Sequence, residues 1–157
     1  MIVVSDTSCI SNLLTISKAD LLAKLFGEVI IPPAVERELR RFHSAIPDFL
    51  KVVAPARNEL VTRLSRELDA GEAEAISVAC ELKADRLLID EKAGRAVALR
   101  EGLAIIGIVG MLLAAKQKRL LPSLTELLNR LETEAGFRLS QGVRAAALKA
   151  AGEDTNT

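Results

Sequence analysis

Aromatic residues are scarce in this chain of 157 residues, which has four Phe and neither Trp nor Tyr. Proteins that hold single-stranded nucleic acid by base stacking need a platform of aromatic side chains. The scarcity therefore counts against a dedicated protein of that class. It also means that Ala, Val, Leu and Ile must fill the core, and these side chains suit close packing of helices on a sheet.

Cysteine and histidine are nearly absent as well. Cys9 and Cys80 both fall in apolar helical patterns, and we interpret them as small core residues. The only histidine, His43, lies in a polar turn. A zinc site, which is usually built from several His and Cys ligands, is therefore poorly supported. A Ser-His-Asp triad would depend on that single histidine.

The chain has no excess of charge, because 21 Lys and Arg residues balance 21 Asp and Glu residues. The strongly basic character of many nucleic-acid-binding modules is therefore missing. The balance does not count against an enzyme whose metal ions supply the positive charge that faces a phosphate.

Long apolar runs are also missing. The longest candidate, 102–115, is interrupted by three glycines, whereas a membrane-spanning helix needs roughly 18 apolar residues. The N-terminal sequence MIVVSDTS lacks the basic start and long apolar stretch of a signal peptide. We expect a cytoplasmic protein that does not enter a membrane.

Half of the residues are apolar, which is enough to bury a core without disulfides or a structural metal. The length is that of one ordinary domain. We predict a single domain over 1–151, in which 123–151 form helices packed on the rest, and a flexible tail over 152–157.

Short apolar runs alternate with helical patterns along the chain. This alternation requires right-handed crossovers, and it predicts an α/β fold in which a central parallel sheet of four to five strands lies between two layers of helices. The predicted strands are 2–5, 28–31, 86–89 and 104–106, with 51–54 as a short extra or edge strand.

Two local patterns make sharper predictions about the helices. Pro32 and Pro33 open a helix whose inner stripe is Val35, Leu39 and Phe42. Residues 69–71 predict a break, after which a long helix runs over 72–83.

Two aspartates directly follow predicted strands. Asp6 comes after the first strand, and Asp90 comes after a later one. Ligands of a parallel α/β sheet bind beyond the carboxyl ends of its strands, so both carboxylates are brought to one edge. The alternative is that each simply caps the helix that follows it.

Three glutamates in predicted helices are candidates to lie at the same edge of the sheet. Glu38 follows Val35 by one helical turn and so lies near the inward stripe. Glu72 leans toward the core side of its helix, four residues before Ile76, although an acid in a first turn is also favoured by the helix dipole. Glu74 lies two residues further along, on roughly the opposite side of the helix from Glu72.

Carboxylates packed together repel one another unless a cation lies between them. Hard divalent cations such as Mg²⁺ or Mn²⁺ take oxygen ligands. One or two such ions can activate a water and stabilise the leaving oxygen of a phosphodiester. The acids therefore favour a divalent-metal site for cutting a nucleic acid.

The chain resembles the PIN-domain nucleases, and within them the bacterial and archaeal subgroup related to VapC-type toxins. The segments that carry this resemblance, in order, are VSDTSCISNL at 4–13, VIIPPAVERELR at 29–40, LDAGEAEAISVA at 68–79, LLIDEKAGRAVA at 87–98, IIGIVGMLLAAK at 105–116 and LLNRLETEAGFRLS at 127–140. The resemblance implies a three-layer α/β/α domain and hydrolysis of RNA with Mg²⁺ or Mn²⁺.

The resemblance also implies roles for particular residues. The third acid is Glu here, where typical toxins have Asp, and Glu74 is an alternative to Glu72. The implied catalytic and metal-binding residues are Asp6, Glu38, Glu72 and Asp90, with Ser8, Asn12, Glu74 and Arg95 in supporting positions.

The leading functional prediction is a metal-dependent endoribonuclease that is the toxin of a toxin–antitoxin pair, forms a homodimer and is bound by a cognate antitoxin. The main alternative is a non-catalytic PIN-fold domain that binds a nucleic acid or a protein. A receiver-like protein or small-molecule phosphatase also uses acids at strand ends, but no clear phospho-acceptor and buried lysine are present.

Overall fold

A computed structural model of the protein describes residues 1–153. Within this range the chain forms one parallel sheet with strand order β3-β2-β1-β4-β5. The strands are β1 (Val3–Ser5), β2 (Val29–Ile31), β3 (Leu50–Val52), β4 (Arg86–Leu88) and β5 (Ile105–Ile106). The predicted α/β fold with a central parallel sheet is confirmed. The segment predicted as an extra or edge strand is the edge strand β3.

Helices fill the connections between the strands and follow the last one. They are α1 (Thr7–Thr15), α2 (Asp20–Phe26), α3 (Pro33–Phe42), α4 (Asn58–Leu64), α5 (Ala70–Leu82), α6 (Lys92–Arg100), α7 (Ile108–Gln117), α8 (Leu124–Ala135) and α9 (Gln141–Ala150).

The two faces of the sheet bury two separate groups of apolar side chains. Val3 and Leu88 belong to one group, which also contains residues of α1, α2, α7 and α8. Val4 and Leu87 belong to the other, which contains residues of α5 and α6. Successive strand residues point to opposite faces, so β1 and β4 contribute to both cores. The result is the predicted three-layer arrangement.

The predicted inner stripe of α3 is wrong at its last member. Ala34, Val35 and Leu39 are buried, but Phe42 leaves 70% of its surface exposed. Phe42 is the last residue of the helix, and His43 continues in an extended conformation. No further turn follows to bring the ring against the neighbouring helices.

The predicted break at 69–71 lies too late in the chain, because α4 ends at Leu64 and α5 already begins at Ala70. Asp69 is its N-cap and accepts a hydrogen bond from the backbone N–H of Glu72 at 2.9 Å. Gly71 is buried in the first turn. The glycine that suggested an interruption instead marks a close approach of another side chain, described below.

The predicted tail contains two residues that the structure holds in place. The N–H groups of Gly152 and Glu153 donate to Lys149 and Leu148 carbonyls, and the Glu153 carboxylate accepts from the start of α8. Residues 154–157 lie outside the described residues. Over the described chain, no helix is both long enough and apolar enough to cross a membrane.

Candidate active site

Asp6 is buried at the end of β1, with 2% of its surface exposed. One carboxylate oxygen accepts from the backbone N–H of Cys9 at 3.1 Å, and the other accepts from the Ser8 hydroxyl at 3.2 Å. Burial raises the pKa of Asp6 to about 6, because these hydrogen bonds only partly offset desolvation and Asp90 adds repulsion. Asp6 therefore caps α1 and also remains a poorly stabilised anion.

Glu72 is the second strongly perturbed acid. Its Oε2 is buried and has no hydrogen-bond partner among the described residues. Burial raises the pKa of Glu72 to about 7, with further repulsion from Asp69, Asp6 and Glu91. A buried carboxylate oxygen without a partner is costly for the fold, and a proton or a nearby cation would lower that cost.

Both acids line a pocket of about 310 Å³, which we call the acidic pocket. Its lining contains five carboxylates and no Lys or Arg. The lining residues are Asp6, Thr7, Ser8, Ser11, Asn12, Glu38, Phe42, Asp69, Glu72 and Glu91. The structure thus brings together three of the predicted acids and the predicted supporting residues Ser8 and Asn12.

Glu74 faces away from this pocket. Its Oε1 accepts from the backbone N–H of Ala34 at 3.1 Å, and its Oε2 lies 4.0 Å from the Arg37 guanidinium. Glu74 therefore caps the start of α3. Of the two alternatives for the third acid, the geometry favours Glu72.

Asp90 lies beside the acidic pocket rather than in its lining. Its carboxylate accepts from the backbone N–H of Ile108 at 3.2 Å and 3.3 Å and from the Cys9 thiol at 2.9 Å. Cys9 therefore contacts Asp6 through its N–H and Asp90 through its thiol. The predicted supporting residue Arg95 donates to the Ile89 carbonyl at 3.1 Å, next to Asp90.

The four predicted acids do not form a finished metal site. Within residues 1–153, no group of three or more His, Cys, Asp and Glu side chains is arranged so that it could hold an ion. The Asp90 carboxylate is hydrogen-bonded to Cys9 and Ile108, and like charges without a cation between them repel one another. That Asp6, Glu38, Glu72 and Asp90 share one metal site therefore stays a prediction.

Three of the acids each lie against a glycine. A Cβ atom built on Gly71 would lie 2.7 Å from Glu38 Oε1, one on Gly94 would lie 2.5 Å from Glu72 Oε2, and one on Gly107 would lie 2.6 Å from Asp90 Oδ1. No side chain fits at such distances without a shift. These carboxylates therefore occupy space that a side chain at any of the three glycine positions would take.

The comparison with known families agrees with this fold. A family model described as a PIN domain matches residues 2–153. The chain belongs to the PIN domain family. PIN domains are typically nucleases, and they generally use divalent metal ions. No curated protein matches the chain significantly.

The residues of this PIN domain fit a hard divalent cation by their chemistry. The acidic pocket offers carboxylate oxygens without a basic partner in its lining, and one of them is buried without a hydrogen bond. Mg²⁺ and Mn²⁺ prefer such oxygen donors and keep several waters. Asp6, Glu38 and Glu72 would hold the ion from the pocket, and Asp90 from its edge.

Sequence reasoning missed two acids of this PIN domain, Asp69 and Glu91. Each is the N-cap residue of a helix, of α5 and α6 respectively. Glu91 makes no capping hydrogen bond with its side chain, which leaves its carboxylate in the lining. Its position directly after Asp90 was the available signal.

Proposed function

We propose that this PIN domain is a divalent-metal-dependent endoribonuclease that hydrolyses phosphodiester bonds of RNA with Mg²⁺ or Mn²⁺. The observation that carries the proposal is the acidic pocket. Asp6 and Glu72 have raised pKa values there, and the lining contains no Lys or Arg. Such a pocket is unfavourable for the fold unless a cation fills it. Asp6, Glu38, Glu72 and Asp90 are the proposed catalytic and metal-binding residues.

The protein residues prepare the site for this chemistry. The Cys9 N–H and the Ser8 hydroxyl fix the direction of the Asp6 carboxylate, so both oxygens keep free lone pairs. Glu72 can hold a proton near neutral pH while no cation is present. A bound Mg²⁺ or Mn²⁺ supplies an activated water and stabilises the leaving oxygen.

We further propose that the protein is the cytoplasmic toxin of a toxin–antitoxin pair, forms a homodimer and belongs to the VapC-related subgroup. The support is the ordered set of motifs from VSDTSCISNL to GFRLS. Induced expression in a bacterial host should arrest growth, and Asp6→Asn should relieve the arrest. Growth that continues with the wild type would remove the toxin role and leave the nuclease proposal standing.

A non-catalytic PIN domain that binds nucleic acid or protein is the second candidate. The observation in its favour is that no three acidic side chains of the described chain are arranged to hold an ion. In that case the acids would still bind a cation weakly, but no hydrolysis would follow.

A cleavage assay separates these candidates. The purified protein is incubated with single-stranded RNA, structured RNA and single-stranded DNA, each with Mg²⁺, with Mn²⁺ and with EDTA. We expect cleavage of RNA that requires the metal, is lost in Asp6→Asn and is retained in Glu74→Gln, whose side chain faces away from the pocket. Cleavage that persists in EDTA or in Asp6→Asn would contradict the mechanism. No cleavage under any condition would favour the binding domain.

A further inference from the structure

A second depression of about 920 Å³ lies on the other side of Asp90, between α6, β5 and the segment that joins α8 to α9. We call it the cationic groove, because its lining includes Lys92, Arg95 and Arg138, while Asp90 is its only acid. None of these three cations forms an ion pair with a described residue. The groove is thus opposite in charge to the acidic pocket.

Two of the cations have no evident role in holding the fold. Lys92 is exposed in the first turn of α6, where the helix dipole disfavours a positive charge. Arg138 is exposed in the segment between α8 and α9. Arg95 differs, because its guanidinium donates to the Ile89 carbonyl. Lys92 and Arg138 are therefore available to an anionic partner.

The groove and the acidic pocket share a border. Asp90 and Lys92 line the groove, and Glu91 between them lines the pocket. Cys9 also joins the two sides, since it contacts both Asp6 and Asp90. A polymer that enters the groove therefore passes directly into the region of the proposed metal site.

An exposed aromatic ring lines the acidic pocket as well. Phe42 is 70% exposed, and the next residue, His43, connects the end of α3 to α1 through a hydrogen bond with Ser11 at 2.9 Å. A second ring, Phe137, is half-buried in the cationic groove. Base stacking on aromatic rings is tolerant of sequence and stabilises single strands.

We infer that a single-stranded nucleic acid crosses this PIN domain from Phe42, over the acidic pocket, into the cationic groove, where Lys92 and Arg138 contact its phosphates. The inference rests on the proposed nuclease function and adds the surface that holds the substrate. The five carboxylates of the pocket repel phosphates, so the attraction must come from the flanking surfaces. A base must leave its helical stack to face Phe42, which favours a single strand over a duplex.

The test measures binding without cleavage. Fluorescence anisotropy follows a labelled oligouridine of roughly 12 nucleotides in EDTA and in Ca²⁺, as the salt concentration is varied. We expect Lys92→Ala and Arg138→Ala each to weaken binding roughly fivefold and to lower the slope of log K against log salt by about 0.7. Phe42→Leu should weaken binding roughly tenfold and leave that slope unchanged.

Matched controls come from exposed cations outside the groove. Lys51 lies on the edge strand β3 and Arg66 follows α4, and both are exposed. Lys51→Ala and Arg66→Ala should bind the strand as the wild type does, and circular dichroism should show that every variant is folded. Equal losses in groove and control variants would overturn the inference, because the attraction would then be general.

Other results would overturn it in distinguishable ways. A duplex of the same length that binds as tightly would remove the single-strand track. If Phe42→Leu shifts the elution volume in size-exclusion chromatography and leaves affinity unchanged, Phe42 is a self-association surface. A wild type that fails to bind in both EDTA and Ca²⁺ also overturns the inference.

The inference and the proposed function can fail separately. A protein that cleaves RNA while its groove variants bind and cleave normally would refute the groove alone. A protein that binds strands through the groove and never cleaves them would refute the nuclease alone.

Discussion

Two regions of the molecule hold buried or partly buried carboxylates in opposite ways. In the acidic pocket, burial raises the pKa values of Asp6 to about 6 and of Glu72 to about 7. At the start of α8, burial also raises the pKa of Glu153. Hydrogen bonds from Thr125 and Leu124 and the contact with Lys116 together lower it by more than burial raises it, so that the pKa is about 2.

The two carboxylates differ in how many hydrogen bonds the fold donates to them. The Glu153 carboxylate accepts from the Leu124 N–H at 2.7 Å, the Thr125 N–H at 3.0 Å and the Thr125 hydroxyl at 2.8 Å. Glu72 has a buried oxygen without a partner among the described residues. A carboxylate that the fold satisfies contributes to stability, whereas one that it leaves unsatisfied is stabilised when a proton or a cation lies near it.

The largest effect on stability is expected at Asp6 in the metal-free protein. A raised pKa means that the folded state binds the proton more tightly than the unfolded state does. The stability that protonated Asp6 contributes to the fold is therefore lost as the pH rises from about 4 through about 6. Asp6→Asn should raise the free energy of unfolding at about pH 8 by up to about 3 kcal/mol, and it should make the stability depend less on pH.

Urea unfolding in EDTA at several pH values measures this effect. Glu153 should change the stability with pH in the opposite direction, because its pKa is lowered. Its contribution to the free energy of unfolding is present above about pH 4.5 and is lost as the pH falls toward about 2. An Asp6→Asn variant that is less stable than the wild type at about pH 8 would show that the carboxylate serves the fold.

The next largest effect is expected from neutralising the third acid. Glu72→Gln should lower the rate of metal-dependent RNA cleavage roughly a hundredfold, since it removes a ligand charge. Glu74→Gln should lower it less than about twofold, because Glu74 caps α3. Initial rates at saturating Mn²⁺ give the comparison. A larger loss in the Glu74 variant would reverse the assignment.

A smaller effect is expected at the satisfied carboxylate. Glu153→Ala should destabilise the protein by about 2 kcal/mol, because it removes charge-assisted hydrogen bonds to α8. That corresponds to a fall in the unfolding temperature of about 4–8 °C. Thermal unfolding measures it, with Glu28→Ala, an exposed acid, as the control. Cleavage at a temperature well below unfolding should not change, and a loss of cleavage there would connect the two regions.

The smallest effect is expected at a glycine of the acidic pocket. Gly71→Ala would press on Glu38 Oε1 and should lower the cleavage rate roughly tenfold by moving that carboxylate. Ala favours the helix over Gly by about 1 kcal/mol, so stability should not fall.

Gly142 provides the matched control for this glycine, because it lies in α9 with nothing near the position of an added Cβ. Gly142→Ala should leave cleavage unchanged. If Gly71→Ala unfolds the protein more easily and Gly142→Ala does not, the glycine is needed by the fold rather than by the site.

The order of strands and helices and the strand-end acids could be predicted from the sequence, because alternating patterns and parallel topology fix which sheet edge a residue follows. Asp6 and Asp90 follow β1 and β4 as expected. The choice between Glu72 and Glu74 could not be made, since α5 buries residues almost all round its axis, including Ala73, Ala75 and Val78. Such a helix has no clear polar face to give the register.

Other features depend on contacts between distant parts of the chain. From the sequence Gly71 predicts the end of a break before a helix, whereas in the structure it lies within α5 and leaves space for the Glu38 carboxylate. Phe42 follows the stripe of α3 in sequence, but the helix ends there. Asp90 accepts hydrogen bonds from the Ile108 N–H and the Cys9 thiol, and neither contact has a signal in the sequence.

Binding of Mn²⁺ tests the central claim most directly, because it asks whether the acidic pocket holds a cation at all. Calorimetric titration of the wild type, Asp6→Asn and Glu74→Gln is compared near pH 8, where Asp6 and Glu72 are ionised. We predict that the wild type and Glu74→Gln bind Mn²⁺ alike and that Asp6→Asn binds at least about tenfold more weakly. Equal binding by Asp6→Asn and the wild type would contradict the account.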